Sequence, residues 1–338
     1  VKHLVTADTH LDRKNGNILE IDITSEFFQW VINVSKERSV YSLIHLGDFF
    51  HNRRSVSIPA LCKGREIAFQ LKNQFVDGVS IVKGNHDIYY KNLLKPSSID
   101  FMKNLGINVV ENVSLSESQN ILLVPWLVDS DMIETLVGNK YNVKYAMGHL
   151  PINEIVINSS RITSKNEILD ISDLSKYELV LSGHFHQYGK YKNIIYIGAP
   201  YHMDFSDFGE RGIYLFDDET GDIEFIEYTN APKYFVIDAE DMDHNKIKGN
   251  NIRLEFYNNI GINKINDIIN YVESLEPNSI NVAYKFTPSF TNDENFDNLT
   301  EIAGNKEILV DYINKSERPQ NIRMGLIEKI IDNLESEI

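Results

Sequence analysis

The chain has little cysteine: one residue in 338, Cys62. That excludes an internal disulfide and a cysteine-bound metal cluster, and it suits a reducing, cytoplasmic setting. Long apolar runs are missing as well. None reaches the roughly 18 residues a membrane-spanning helix needs, so no membrane partner is expected. The first residues, "VKHLVTAD", already read as a strand, so no signal peptide is expected. Positive charge is also scarce: 33 Lys and Arg against 49 Asp and Glu leave a net of −16. Over the whole chain that argues against a polyanionic partner. The shortage is uneven, however. Residues 1–103 carry 14 basic and 11 acidic residues, a net of +3, and the remainder 19 and 38, a net of −19. A nucleic-acid substrate is therefore not excluded at the first third, where bound divalent cations would also change the local field.

The rest of the composition is ordinary for a globular protein: 42% hydrophobic and 24% charged residues. The length suggests two domains, or one large domain with an appendage. Through about residue 215, short apolar runs alternate with amphipathic segments. Strands are expected at His3–Ala7, Tyr41–Leu46, Val79–Val82, Asn120–Val124, Tyr145–Met147, Glu178–Leu181, Ile194–Ile197 and Ile213–Phe216. Helices are expected at Ile21–Arg38 and Pro59–Gln74, with Ser57 or Ile58 preceding the proline at the helix start. Such alternation predicts an α/β sheet covered on both faces. Helices thin out after about residue 185, so hairpins are expected there.

A second unit starts near Ala231-Pro232 and reads Tyr234–Ile237 strand, Asn251–Phe256 strand, Lys264–Leu275 helix, Ile280–Phe286 strand. The stretch "TPSFTNDENFDNLT" reads as a linker. The last residues carry helical patterns at Lys306–Asn314 and Ile322–Leu334, the latter with Ile322, Leu326, Ile327, Ile330 and Leu334 at helical spacing. The expected organisation is 1–230, 231–286, a linker at 287–303, and helices at 304–338.

The residues just past each early strand carry the chemistry. "HLVTA" leads to Asp8-Thr9-His10, "YSLIHLG" to Asp48, "VSIVKG" to Asn85-His86-Asp87, "VKYAMG" to His149, and "YELVLSG" to His184-Phe185-His186. In four of these five places a glycine stands just before: Gly47, Gly84, Gly148 and Gly183. Any one such pair, alone, is a turn; Gly-Asn-His-Asp in particular is made of turn formers. Five in succession, holding half of the ten histidines, are not explained by scattered core histidines. In open α/β sheets, ligands sit outside the carboxyl ends of strands, so five such loops converge on one crevice. Imidazole and carboxylate donors suit divalent Mn, Fe or Zn. Two such ions about 3.5–4 Å apart need a bridging carboxylate; they activate a shared water for in-line attack on phosphorus.

This ordered set, Asp8-x-His10, Gly47-Asp48, Gly84-Asn85-His86-Asp87, Gly148-His149 and Gly183-His184-x-His186, resembles the calcineurin-like metallophosphoesterase superfamily. Within it, "HLGDFFHNRRS", "GNHDIYYKN" and "GHFHQY" resemble the SbcD-type DNA repair nucleases, the versions of T-even-like phages included. The likeness covers most of residues 1–230. It implies a metallophosphoesterase β-sandwich flanked by helices, with a small α+β capping domain and C-terminal helices. It implies two divalent metal ions, Mn2+ in first place and Mg2+ as the substitute. One ion would be held by Asp8, His10, Asp48 and His186, the other by Asp48, Asn85, His149 and His184. His86 would stabilise the transition state and protonate the leaving oxygen. Asp87 would orient His86, or else serve as a turn or helix N-cap. His51 would handle DNA near the metals, or else be a loop histidine. Two departures stand out: Asp12, where the family usually has glycine, and Thr9, where an aromatic is common.

The activity implied is that of a metal-dependent DNA nuclease, double-strand exonuclease and single-strand endonuclease, in a recombination or repair complex. The alternative is another phosphoesterase of the same fold, acting on phosphoproteins or nucleotides. DNA contacts are expected from Arg13, Lys14, Arg53, Arg54, Lys91 and Lys95, close in sequence to the ligands. Tyr89, Tyr90, Tyr201 and His202 are candidates to line the cleft, with packing as the alternative. By the same resemblance the C-terminal helices would dock on an SMC-like ATPase of the SbcC type, and the nuclease domain would form a homodimer.

Overall fold

Two six-stranded sheets form from the apolar runs of the first 230 residues. In the computed structural model, residues 1–285 are described, except 139, 154–155, 159–160, 163–167 and 259, with backbone only at 156–158, 161–162 and 262. The expected linker 287–303 and helices 304–338 lie outside the described residues, as does Phe286. Chain contacts divide the protein into two units, Val1–Phe235 and Val236–Ile338.

In the first unit, one sheet has the order Ile223–Glu227, Gly212–Asp217, Lys2–Thr6, Ser42–His45, Gly78–Val82, Asn108–Val110. Its last four strands run parallel and its first two antiparallel. The other sheet has the order Gly189–Tyr191, Ile194–Tyr196, Leu179–Ser182, Tyr145–Gly148, Ile121–Val124, Ser114–Leu115, with a parallel centre and antiparallel rims. Alternate residues of the central strands face each other between the sheets: Val5, Ile44 and Val82 from one, Leu123, Met147 and Leu181 from the other. Their neighbours point outward. Leu4, Leu43 and Ile81 pack under the helices Ile18–Arg38 and Ile58–Gln74. Leu122, Ala146 and Val180 pack against the segment that includes the helix Ser130–Val137. With both faces covered, the strands read as unbroken apolar runs rather than alternating ones. The result is a helix–sheet–sheet–helix sandwich of mixed α/β class.

Local signals set the helix starts. Asn17 caps the first helix by accepting from Glu20 N at 3.3 Å, which places its start three residues before the expected Ile21. Ser57 caps the second by accepting from Ala60 N, with Pro59 in the first turn, where its missing N–H costs nothing. After about residue 185 the unit is built of hairpins, Gly189–Tyr191 with Ile194–Tyr196 and Gly212–Asp217 with Ile223–Glu227.

A three-stranded sheet, Tyr234–Asp238, Asn251–Phe256 and Ser279–Tyr284, with the helix Ile262–Ser274, makes up the second unit, its first strand starting two residues before the unit's boundary. The last two strands are parallel, so their connection must cross over, and the helix supplies the crossover. Ile252, Leu254, Phe256, Ile265 and Val272 are buried there.

Candidate metal centre

The parallel strands of both sheets end at one edge of the sandwich, and the loops beyond them extend the ladders by single bonds. Asp8 N donates to Gly47 O at 3.0 Å, His10 N to Asp48 O at 3.1 Å, His149 N to Val124 O at 3.1 Å, and Gly183 N to Gly148 O at 3.0 Å. Four of the expected ligands hold positive φ: Asp8 at 52°, His10 at 47°, Asp48 at 56° and His184 at 92°. Asp, Asn and His tolerate this region better than most side chains, and such strain gathers where function demands it. Two glycines are required by close approach. A Cβ on Gly47 would lie 2.5 Å from His149 Nδ1, and one on Gly84 would lie 2.2 Å from Asp48 Oδ1.

The side chains converge in two groups. His10 Nε2 and His186 Nε2 are 2.9 Å apart. Asn85 Oδ1 lies 2.9 Å from His149 Nε2 and 3.0 Å from His184 Nδ1. Asp48 Oδ2 stands between the groups, 3.3 Å from His149 Nε2 and 3.8 Å from His10 Nε2. Asp8 accepts from His184 N at 3.1 Å on both oxygens. Asp8, His10 and His186 offer donor atoms within 4.8 Å of one another, and so do Asp8, Asp48 and His149. His149 Nδ1–H donates to Leu46 O at 2.9 Å, which leaves Nε2 free to ligate.

These donors fit divalent cations. Two atoms each about 2.1 Å from one ion, at a right angle, lie about 3 Å apart, the spacing seen within each group. Charge points the same way. Burial and Asp48 push Asp8 up to about 7, despite His149. Burial works against charge on His149, yet the charge and hydrogen bond of Asp48 raise it to about 9. Asp48, despite its burial, is held far below the usual carboxylate range by His149 and His10. Burial, with His149 beside it, takes His184 down to about 3, and burial with His186 lowers His10. Without a cation, one imidazole has to carry the positive charge that the carboxylates demand. Asp8, His10, Asp48, Asn85, His149, His184 and His186 are the residues that could hold two ions.

His86 lies beside this cluster and is only partly buried. Its backbone N donates to Asp48 Oδ1 at 2.7 Å, and its Nδ1–H donates to His51 O at 2.6 Å. The His86 and His51 rings stack with centroids 5.7 Å apart, and His51 Nδ1 is 3.3 Å from His10 Nδ1. The expected link from Asp87 to His86 is not what forms. The Asp87 carboxylate is consumed by backbone: it accepts from Asp48 N at 2.9 Å, Gly84 N at 3.0 Å and Phe50 N at 3.1 Å. It sets the shape of the Asp48 loop, and the His51 carbonyl orients His86 instead. Burial and the nearby Asp48 charge push Asp87 up to about 7.

The expected DNA contacts fall in different places. Arg54, Lys91 and Lys95 are exposed and Arg53 is half-buried. Lys95 lies 3.3 Å from Glu111. Arg13 is buried, with its guanidinium 2.5 Å from Glu20 and over the Tyr201 ring, so it does not offer a free surface charge. Lys14 is exposed but also pairs with Glu20, at 2.6 Å. Tyr201 is not a cleft residue either: it is buried and its hydroxyl donates to Thr9 O. His202 is buried, with Nε2 on Gly209 O. Tyr89 and Tyr90 are exposed.

The two departures acquire reasons. Asp12 has φ of 80°, a conformation glycine enters freely, and its carboxylate accepts from Gly16 N, Ser57 N and Ser57 Oγ, each at 2.7 Å. Thr9 Oγ1 contacts Nε2 of His45 at 3.0 Å, a buried histidine that nothing in its strand context singles out.

Two further neighbours of the site escaped the sequence reading. The Trp126 ring lies 5.2 Å from His184 and 6.0 Å from His149. Its backbone N donates to Lys83 O. Lys83 is fully buried before Gly84, with Nζ 2.7 Å from Asp100, 2.8 Å from Glu111 and 2.8 Å from Leu94 O. A lysine directly before a Gly-Asn-His-Asp run was the available signal.

The family described as calcineurin-like phosphoesterase matches residues 1–188. Exonuclease subunit 1 of Enterobacteria phage T4 is 28% identical over 232 residues, covering 67% of this chain and 67% of that protein. The crystal structure of Pseudomonas putida nuclease MPE aligns over 54% of this chain and 61% of its own, at 21% identity and a TM-score of 0.29.

Proposed function

Because the chain belongs to the calcineurin-like phosphoesterase family, we propose that it is a metal-dependent DNA nuclease that hydrolyses phosphodiester bonds. The reading is supported most by His86, which stands at the rim of the ligand cluster with Nδ1–H tied to His51 O. Asp8, His10, Asp48, Asn85, His149, His184 and His186 would hold two divalent cations, Mn2+ or Mg2+, whose Lewis acidity would activate a water and offset charge developing on the phosphoryl oxygens. The protein's own residues do the rest. Asp48, held ionised, bridges the two groups, and its other oxygen fixes the His86 backbone. Since Nδ1 is occupied, the proton that His86 moves is the one on Nε2, delivered to the departing oxygen. The partly buried Trp126 packs beside the His149 and His184 rings.

A DNA substrate is favoured by the near-neutral first third, by exposed Arg54, Lys91 and Lys95, and by the likeness to a protein named as an exonuclease subunit. That name also favours a partner. We assign the partner as an SMC-like ATPase reached through the stripe Ile322–Leu334, with the nuclease itself dimeric and working in the cytoplasm, that of the host bacterium if the chain is phage-encoded. Among the described residues no helix is long and apolar enough to cross a membrane.

The test is direct. Purified chain with Mn2+ or Mg2+ is given linear double-stranded DNA, single-stranded DNA and p-nitrophenyl monoesters, beside a His86→Ala variant. DNA cleavage that depends on metal and on His86 supports the reading. Turnover of monoesters alone would move the protein to the phosphatases. Truncation near residue 290 should end co-purification with an ATPase and spare metal-dependent cleavage of single strands.

A further inference from the structure

The loop at His186 continues directly into a groove that the chemistry above does not use. The groove measures about 340 Å³, with Tyr214 and Phe225 at its floor, rings 5.2 Å apart. Its rim carries two large aromatics, Tyr188, 49% exposed, and Phe208, 52% exposed. Singly exposed aromatics need no explanation, but these two line one groove together, and contiguous apolar surface of this kind marks binding sites.

The rim is held firmly. Gln187 Nε2 donates to Phe208 O at 2.9 Å, and His202 Nε2 donates to Gly209 O at 2.9 Å. Arg211 donates to the carbonyl of the expected ligand His186, to Gln187 Oε1 and to Asp207. The loop that presents Phe208 is thus bonded to the residue expected to ligate a metal. One residue, Gln187, separates His186 from Tyr188, so their Cα atoms lie within about 7 Å. That is the scale of one nucleotide along a single strand.

We propose that this groove takes the unpaired nucleobase of the nucleotide next to the scissile phosphate, stacked on Phe208 and Tyr188. The proposal rests on the nuclease reading and narrows it to a single-stranded substrate at this position. At about 340 Å³ the groove is large enough for one heterocycle. Exposed Glu210 at the rim repels phosphate and leaves a neutral base as the suitable occupant. Stacking of this kind tolerates any base, since each has a π-face.

The experiment uses the full chain with Mn2+, a single-stranded oligonucleotide and bis(p-nitrophenyl) phosphate. Phe208→Ala should lower kcat/KM on the oligonucleotide, relative to the small diester, by about tenfold, carried by KM. Phe208→Trp should restore the ratio. An oligonucleotide with an abasic residue beside the cleaved bond should lose the same factor with the unaltered protein and little more with Phe208→Ala, since both remove one interaction. An unmoved ratio in Phe208→Ala, with DNA still cut, overturns the stacking site and leaves the nuclease reading intact. Turnover of the small diester with no DNA cleavage by the unaltered protein overturns both. A change of sedimenting mass in Phe208→Ala without a change of ratio assigns the groove to a second copy of the chain, and also overturns the proposal.

Discussion

His86 Nδ1 donates to the carbonyl of His51 at 2.6 Å, and this bond decides which nitrogen of His86 is left for the expected ligand cluster. A carbonyl accepts but cannot donate, so Nδ1 carries hydrogen and Nε2 is the working atom. His51 therefore acts on His86 through its main chain as well as through the stacked ring.

His86→Ala should lower kcat on DNA by about 10²–10⁴-fold, the usual contribution of one general acid. On bis(p-nitrophenyl) phosphate the deficit should be much smaller, because p-nitrophenolate departs without a proton. Metal content, measured by atomic emission, should not change. Equal deficits on both substrates would remove the acid role.

The metal-free protein should lose stability as pH rises from about 6 to 9. His149 is raised from its ordinary 6.5 to about 9, so its contribution is complete below 6.5 and is lost as pH climbs through 9. Asp8 and Asp87, raised from 3.8 to about 7, act in the same direction: the stability present below 3.8 fades as pH rises through 7. Asp48, held low, opposes them only at the acid end, where its contribution is lost as pH falls. Thermal melts in EDTA should give a lower Tm at pH 9 than at pH 6. Mn2+ should raise Tm more at pH 9, where the ligands are deprotonated.

Gly47→Ala and Gly84→Ala should each cost more than about 2 kcal/mol, since the new methyl meets His149 or the Asp48 backbone and cannot be relieved by a flexible side chain. Gly209→Ala is the control. Its φ of 77° is unfavourable but nothing lies within 4 Å, so about 1 kcal/mol is expected. Urea unfolding measures all three.

Asp87→Asn keeps shape but replaces one acceptor by an NH2 group pointed at backbone donors. The loss should be about 2 kcal/mol in stability. Metal affinity should fall with it, because the Asp48 loop is no longer pinned. The pH profile attributed to His86 should not move, since Asp87 does not touch that ring.

Much of this was legible in sequence because it is local. An apolar run followed by a donor residue, in four of five places after a glycine, names both a strand and a loop, and the five together name a crevice. Ser57 likewise sits where a helix start is expected, while the cap at Asn17 lies ahead of the expected start at Ile21. The features that escaped depend on contacts across long separations. Asp87 looks like the partner of its neighbour His86, yet it bonds to Asp48 and Phe50, nearly forty residues away. Arg13 follows the first ligand loop like a DNA contact, but Glu20 and Tyr201 enclose it. Trp126 stands after a strand with no donor residue to mark it.

The expected ligands are shared out by topology. Asp8, His10, Asp48 and Asn85 follow strands of one sheet, and His149, His184 and His186 follow strands of the other. Any ion held there is gripped from two sides, like a rivet through two plates. Sliding one plate over the other would pull the donors out of register. Each half of the fold therefore sets the alignment of its opposite, and stripping any ion held there should weaken the whole seam rather than one loop.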